Sequence, residues 1–323
     1  MTDRVTAADV ARSLGLSRAT VGFVLNDTPG QTIPEATRTR VLAEAKRLGY
    51  RPHTAARALA SGRSHIVLLL LPDWPLDYSL RSHLDEASLV LDQAGYSMVT
   101  MTPHPDGQAV PLWESLSPDV VMSMAPIPDD QNEAIRATGA ATIIAGRDEL
   151  ALGVELGFDA GPQLQVEHLL ERGRRSIVFA GTADPRLKDL NAGRRARAVE
   201  TLVTAGNELA DAQDVDPESV LDTVRRWVDD GVDGVVGYND DIAALVLGAA
   251  LREAIAVPET LSIVGHDDTP LAQLMVPSLS SVRIDAAGLG RFLAELALAA
   301  AGAAPAPASG PAALARIVVR ETS

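Results

Sequence analysis

Residues 5–26 read VTAADVARSLGLSRATVGFVLN, and this stretch predicts two short helices joined by a tight turn. Its apolar side chains recur at helical spacing, so they share the inward face of each helix. Thr6 and Asp9 have the spacing of a capping box at the start of the first helix. Gly15 permits a sharp turn, and Ser17 is placed to cap the second helix. Two helices connected in this way form a helix-turn-helix.

The first turn of the second helix presents Arg18, Ala19 and Thr20. In a helix-turn-helix this is the part that reaches base edges in the major groove of DNA. The spacing alone also fits an ordinary helical hairpin, so the following residues decide between the two interpretations. A third helix is predicted from about residue 34 to residue 48, where Gly49 ends it.

Three motifs in this order resemble the headpiece and hinge of the LacI/GalR (lactose-repressor) family of bacterial transcriptional regulators. They are VTAADVARSLGLSRATV at 5–21, ATRTRVLAEAKRLGYRP at 36–52 and AARALASGRS at 55–64. The resemblance implies a set of DNA-contacting residues, with Leu59 as a wedge in the minor groove. These residues are Thr6, Ser17, Arg18, Ala19, Thr20, Asn26, Thr37, Tyr50, His53, Ala56 and Leu59.

The charge of the chain is distributed unevenly. Residues 1–65 hold ten of the 28 Lys and Arg residues but five of the 43 Asp and Glu residues, so they carry +5. Because the whole chain carries −15, the remaining residues carry −20. A basic module joined to an acidic body favours docking on phosphates through the headpiece alone. We therefore interpret residues 1–65 as a DNA-binding module.

Composition limits the remaining possibilities. A chain of 323 residues with 46% hydrophobic and 22% charged residues is long enough for two or three domains with a sizeable core. The N-terminus shows no signal-peptide pattern, and no apolar run is long enough to span a membrane. The absence of cysteine excludes disulfides and thiolate metal sites and suits a reducing cytoplasm. We expect a cytoplasmic, nucleoid-associated protein with no cofactor and no membrane partner.

From residue 65 onward, short apolar strands alternate with helices, which predicts parallel sheets with helices on both faces. The expected fold class is therefore α/β. An all-α helix-turn-helix headpiece precedes a bilobed, periplasmic-binding-protein-like core with two parallel, doubly wound sheets. The ligand site of such a core should lie between the lobes, at the carboxyl ends of the strands.

We predict three regions. Residues 1–52 form the headpiece, residues 53–64 form a hinge helix and linker, and residues 65–323 form the effector-binding and dimerisation core. The segment 53–60 is too short to be a stable helix alone, so we expect it to order only against DNA and a second copy. In the core, lobe 1 spans about 65–157 and 285–323, and lobe 2 about 158–284. Ser280–Ile284 and the following helix are expected to cross back to the first lobe.

Polar residues at predicted strand ends continue the family resemblance, which implies a small-molecule cleft lined by Arg194, Asn239, Asp240 and Asp267, with Arg147 following a first-lobe strand. Sugar hydroxyls pair with carboxylates, amides and guanidinium groups and stack on aromatic rings. Trp74 and Tyr78 could supply such a ring face. Other interpretations stay open, because Asp240 could cap its helix, either arginine could form a structural ion pair, and Trp74 could serve packing.

The sequence also bears on two other functional classes, an enzyme and a receptor without DNA activity. The acidic pairs 240–241 and 267–268 could suggest acid–base catalysis, but adjacent residues at a strand end point to opposite sides, so each pair offers one carboxylate to a cleft. A small-molecule receptor without DNA activity would not need the headpiece. We therefore expect a non-enzymatic, ligand-responsive repressor that binds a pseudo-palindromic operator as a homodimer. The effector is expected to be a sugar or related polar metabolite.

Overall fold

The computed structural model describes residues 5–26, 28, 30–50, 62–104, 107–144, 160–308 and 315–323. The predicted hinge helix at 53–60 and the predicted cleft residue Arg147 lie outside these residues. No helix in the described part combines the length and apolar character needed to cross a bilayer.

The headpiece has the three helices that the sequence predicts: α1 (Ala7–Leu14), α2 (Arg18–Leu25) and α3 (Glu35–Arg47). Thr6 and Asp9 form the expected capping box, in which the Thr6 amide donates to Asp9 Oδ2 over 2.9 Å. Gly15 ends α1 with φ of 63°, a left-handed conformation that glycine adopts without a steric cost. The helix-turn-helix prediction is therefore confirmed.

A small apolar core holds these helices together. One buried cluster joins side chains of all three helices, namely Val10, Ala11, Val21, Val24, Val41 and Ala45. Because α2 turns its valines inward, the opposite face of that helix is left to solvent.

The first sheet has the strand order β2-β1-β3-β4, and every neighbouring pair is parallel. Helices join the strands, as a parallel sheet requires. The elements are β1 (Ile66–Leu70), α4 (Tyr78–Gln93), β2 (Ser97–Met101), α5 (Leu112–Ser115), β3 (Val120–Ser123), α6 (Asp129–Ala137) and β4 (Ala141–Ile144).

The second sheet has the order β10-β9-β8-β7-β5-β6, and it is parallel except for the pair of β10 with β9. Its first elements are α7 (Ala160–Glu171), β5 (Ile177–Thr182), α8 (Lys188–Thr204), β6 (Asp211–Val215), α9 (Val220–Asp229) and β7 (Gly234–Gly237). They are followed by α10 (Asp240–Arg252), β8 (Ser262–His266), α11 (Pro270–Leu274), β9 (Ser280–Ile284), α12 (Ala286–Ala300) and β10 (Ala315–Val318).

The C-terminal part of the chain corrects two predictions. Helix α12 does pack in the first lobe, where Leu293 and Ala297 join the core cluster of β1 and β3. Strand β9, however, pairs in parallel with β8 of the second sheet, so it does not cross back. The assignment of residues 315–323 to the first lobe is also wrong, because β10 returns to pair antiparallel with β9.

Gly290 on α12 makes a specific contact between the helices of the first lobe. A Cβ atom placed on Gly290 would lie 2.3 Å from the backbone oxygen of His83 on α4, and a backbone atom cannot rotate away. Close approach of α12 to α4 therefore depends on glycine at this position.

Gly290→Ala should lower the free energy of unfolding by roughly 1–3 kcal/mol, the usual cost of overpacking a core. Gly193→Ala is the matched control, since a Cβ on that exposed helical glycine meets no atom within 4 Å. The control should raise stability by about 0.5–1 kcal/mol, because alanine is the better helix former. Denaturant unfolding followed by circular dichroism measures both changes, and equal effects of the two variants would contradict the proposed close contact.

Candidate functional site

The first turn of α2 presents an exposed polar surface. Ser17 caps the helix by accepting the Thr20 amide over 3.0 Å, and the two hydroxyl groups lie 2.8 Å apart. Arg18 and Ala19 are exposed, whereas Val21 and Val24 are buried on the other side of the helix. The headpiece core therefore fixes a rigid helix end whose free side chains point away from the protein.

The other predicted DNA-contacting residues have different environments. The Thr6 side chain is held in its capping box, and Asn26 is exposed at the end of α2. Thr37 is half-buried in the first turn of α3, and Tyr50 packs against the headpiece core. The remaining three, His53, Ala56 and Leu59, lie outside the described residues. Arg18, Ala19 and Asn26 are therefore the predicted residues with most freedom to meet a partner, while Ser17 is exposed but engaged as the cap of α2.

The second candidate site lies where the two lobes face each other. Asp267, directly after β8, and Arg194, on α8, are 9% and 8% exposed, and their closest charged atoms are 3.8 Å apart. The Arg194 guanidinium also donates to the backbone oxygen of Tyr238 and lies 4.5 Å from the centroid of the Tyr238 ring. A buried arginine is thus held by a carboxylate, a carbonyl and an aromatic face.

His266 positions the Asp267 carboxylate. Its Nδ1 lies 2.8 Å from Asp267 Oδ1, and the ring is 1% exposed. Burial, followed by the nearby Arg194 charge, lowers the pKa of His266, so the ring is neutral and Nδ1–H is the donor. Burial alone would raise the pKa of Asp267, but His266 and Arg194 outweigh it and hold that pKa below its usual value. Asp267 is therefore an ionised acceptor.

Both lobes line the space around this pair. A cavity of about 40 Å³ is bounded by Trp74, Pro75 and Leu80 of the first lobe and by Arg194 and Asp267 of the second. A wider opening of about 260 Å³ shares Asp77 and Asp267 with this cavity and adds further polar residues, namely Tyr78, Asn239, Asp240, Asp241 and Thr269. The smaller cavity holds no more than a few waters, since a water needs roughly 10–15 Å³ on this measure.

Two aromatic residues predicted for the cleft do reach it. Trp74 lines the smaller cavity and also packs against the first-lobe core, so the packing interpretation agrees with the structure and its stacking on a ligand stays a prediction. Tyr78, the first residue of α4, is 49% exposed and lines the larger opening. Asn239 lines the same opening, but its side chain caps α10 by accepting the Ile242 amide over 2.9 Å.

Asp240 behaves differently from the expectation. It is fully buried, and its two oxygens accept the Ser281 hydroxyl over 2.5 Å and the Thr269 amide over 2.6 Å. Burial raises the pKa of this carboxyl to about 7, although both hydrogen bonds act to lower it. In this arrangement Asp240 ties α10 to β9 and to the start of α11. It lines the larger opening, but each of its carboxyl oxygens already accepts a hydrogen bond from within the second lobe.

Asp268 faces away from Asp267. Its carboxylate accepts from Arg283 Nε over 2.5 Å and from an Arg320 terminal nitrogen over 2.6 Å. The expectation that an adjacent acidic pair offers one carboxylate to a cleft therefore agrees with this geometry. Both residues have left-handed φ, 94° for Asp267 and 45° for Asp268, which is uncommon outside glycine.

Sequence reasoning missed several cleft residues. Asp77 caps α4 by accepting the Leu80 amide over 2.7 Å, and its position just ahead of a helix was a readable signal. Desolvation raises the pKa of its carboxyl and the nearby Asp267 charge acts in the same direction, although the residue as a whole is exposed. His83 and His266 gave no signal, since isolated histidines show no spacing pattern. Among the described residues, no group of His, Asp and Glu is arranged to hold a metal ion.

The Asp240 environment predicts a pH dependence. The folded protein holds a proton on Asp240 up to about pH 7, whereas an unperturbed aspartate releases it near 3.8, so this group makes stability fall as pH rises between those values. Asp240→Asn removes the titration and keeps the shape. The free energy of unfolding of the variant relative to wild type should rise with pH between about 3.8 and about 7, by up to about 1.4 kcal/mol per pH unit.

Chemical denaturation at a series of pH values measures this difference. Asp229→Asn, a substitution at an exposed position on α9, is the control. The difference in free energy of unfolding between this control and wild type should stay constant across the pH series. If Asp240→Asn also runs parallel to wild type, Asp240 does not bind a proton on folding.

The family models and the relatives that match this chain agree on one family. A family model described as "Bacterial regulatory proteins, lacI family" matches residues 6–53, and one described as "Periplasmic binding protein-like domain" matches residues 166–323. The HTH-type transcriptional regulator GntR of Pseudomonas aeruginosa is 30% identical over 314 residues, covering 92% of this chain and 90% of the relative. The ribose operon repressor of Bacillus subtilis is 30% identical over 309 residues, covering 91% and 90%.

Solved structures show the same architecture. A LacI family transcriptional regulator from Silicibacter pomeroyi superposes with a TM-score of 0.74 at 25% identity, covering 98% of this chain and 99% of that one. The lac repressor dimer bound to operator and the anti-inducer ONPF gives a TM-score of 0.77 at 22% identity, with 99% of both chains covered, which shows the shared fold. The chain belongs to the lacI family of bacterial regulatory proteins, which are DNA-binding, ligand-responsive transcriptional regulators.

Proposed function

We propose that this chain is a repressor that binds a pseudo-palindromic operator as a homodimer and responds to a small polar, sugar-like effector in the inter-lobe cleft. The observation that carries the proposal is the buried Arg194–Asp267 pair at the cleft, in a chain whose headpiece exposes Arg18 and Ala19. We place its action in the cytoplasm on the nucleoid, and we assign it no catalytic step.

The headpiece chemistry supports DNA binding. An arginine at the start of a recognition helix can donate two hydrogen bonds to a guanine edge, and an alanine beside it can contact a thymine methyl group. The net charge of +5 on residues 1–65 attracts phosphates, while the acidic remainder is repelled by them. DNA should therefore meet the headpiece first and the core hardly at all.

A second copy is needed for tight, specific binding. One helix-turn-helix reads a single half-site, and two headpieces joined through their cores read two half-sites about one helical turn apart. Leu274 and Val276 are 71% and 87% exposed and lie two residues apart on the second lobe, so they offer apolar area that a partner copy could cover. The lac repressor that shares this fold is a dimer on its operator.

The cleft chemistry supports a polar effector. Asp267 is an ionised acceptor, Arg194 is a fork of donors, and Trp74 and Tyr78 offer aromatic surface on the facing lobe. This combination suits the hydroxyl groups and the apolar ring face of a sugar. Because the cavity at Arg194 is only about 40 Å³, a sugar must use the adjoining opening or shift the lobes. Such a shift would connect effector binding to the headpieces.

Arg18→Ala should cost roughly 1–3 kcal/mol of discrimination between specific and random DNA if Arg18 reads a base. The specific probe is a palindromic fragment selected by the wild-type protein from random DNA, and fluorescence anisotropy gives both affinities. Arg225→Ala is the control, since it removes an exposed arginine of the second lobe, outside the headpiece. It should change the affinity for neither the specific nor the random DNA. Equal weakening on both DNAs would show that Arg18 touches only the backbone.

Asp267→Asn should weaken effector binding at least roughly tenfold, because hydrogen bonds to a charged group contribute about 1.5–3 kcal/mol. Isothermal titration against D-ribose, cellobiose, and a set of pentoses, hexoses and their phosphate esters provides the measurement. Asp229→Asn serves again as the charge-matched control, and circular dichroism verifies that both variants fold. A compound bound equally by wild type and Asp267→Asn would remove Asp267 from the effector site.

A further inference from the structure

The core is anchored at the point where the chain enters it. Asp119, the residue before β3, accepts the Ser64 amide over 2.7 Å, the Ser64 hydroxyl over 3.0 Å and the His65 amide over 3.1 Å. We call these three residues the Asp119 anchor. Three donors on one carboxylate form a strong, directional attachment, since hydrogen bonds to an ionised acceptor are stronger than neutral ones.

The anchor fixes the direction of the chain as well as its position. Asp119 is itself held in the sheet, where its amide donates to the Ile66 oxygen over 2.9 Å and its oxygen accepts the Ala141 amide over 3.0 Å. His65 has a left-handed φ of 56°, and its ring lies 4.9 Å from the Tyr96 ring. A non-glycine residue keeps such a conformation only when its surroundings hold it. The chain thus enters β1 through a defined turn.

The second lobe contains a similar aspartate, which accepts backbone amides where the chain enters a strand. Asp233, the residue before β7, accepts the Arg175 amide over 3.0 Å and the Ser176 amide over 2.9 Å at the entry to β5. There the preceding chain is α7 of the same lobe, so Asp233 serves only the local fold. The residues that precede the Asp119 anchor lead to the headpiece instead. Asp119 and Asp233 therefore make similar hydrogen bonds, but Asp119 holds the chain that comes from the headpiece and Asp233 holds a connection within one lobe.

We propose that Asp119 is a positioning residue for DNA binding, which fixes where and in which direction each core releases its headpiece. This inference rests on the proposed function, in which two headpieces bind two half-sites. Without the anchor, Ser64 and His65 would no longer be fixed to the core, and a few additional unfixed residues change closure entropy only slightly. The exit direction matters more, because two headpieces released from fixed directions favour one half-site spacing over others.

The test measures tolerance of half-site spacing. Asp119→Asn and Asp233→Asn both replace an ionised acceptor by a neutral amide of the same shape, and thermal unfolding records the stability cost of each. Ser64→Ala is a milder third variant that removes one anchor hydrogen bond. Full-length proteins are titrated by anisotropy on three DNAs: the selected palindrome, the palindrome with one base pair inserted at its centre, and the palindrome with one half-site scrambled.

Wild type should bind the palindrome more tightly than the inserted DNA and more tightly than the single half-site. For Asp119→Asn, the ratio of the dissociation constants for the inserted DNA and the palindrome should move towards one. Ser64→Ala should shift this ratio in the same direction by a smaller amount. Asp233→Asn should keep the wild-type ratio, and all variants should keep the single-half-site affinity. Equal ratios in Asp119→Asn and Asp233→Asn would overturn the inference. If wild type itself does not prefer two half-sites, the proposed function fails instead.

Discussion

The turn after β8 places two adjacent carboxylates in the protein interior, and each needs a positive partner on its own side. An unpaired buried charge is very costly, so the partners cannot be removed singly without loss of stability. Asp267 is matched by Arg194 and a hydrogen bond from His266, and Asp268 by Arg283 and Arg320. This one turn therefore connects α8, β9 and the residues after β10.

That constraint explains the path of the chain and the position of the cleft. After α12 has packed in the first lobe, the chain returns so that β10 covers the edge of β9 and Arg320 reaches Asp268. With Asp268 occupied in this way, Asp267 alone is turned towards the first lobe. The buried Asp240 adds a second tie between α10 and β9. The carboxylate that we propose for effector binding, Asp267, is thus supported by a network of charges and hydrogen bonds within the second lobe.

The sequence predicted the headpiece well because its signals are local: a capping box, a glycine turn and apolar residues at helical spacing. It also predicted the alternating elements of both lobes, and the family resemblance implied the cleft position of Asp267 and Arg194. It did not predict the return of residues 315–318 to the second sheet, because the pairing partner of an isolated strand depends on tertiary structure. Strand β6 was missed since its sequence, DAQDV, is too polar to look like a strand. The burial of Asp240 depends on Ser281 and Thr269, which lie far away in sequence.

The central claim is that a ligand at Asp267 changes the affinity of the headpieces for DNA. By linkage, such a ligand must shift the operator dissociation constant by the same factor by which the operator shifts ligand affinity. The most direct measurement is an operator titration of the full-length protein with and without a compound that binds the cleft. The account predicts a shift in operator affinity for wild type and none for Asp267→Asn, with ligand-free operator affinity equal in both. An equal shift in wild type and Asp267→Asn, or no shift with a cleft-bound compound, would contradict the account.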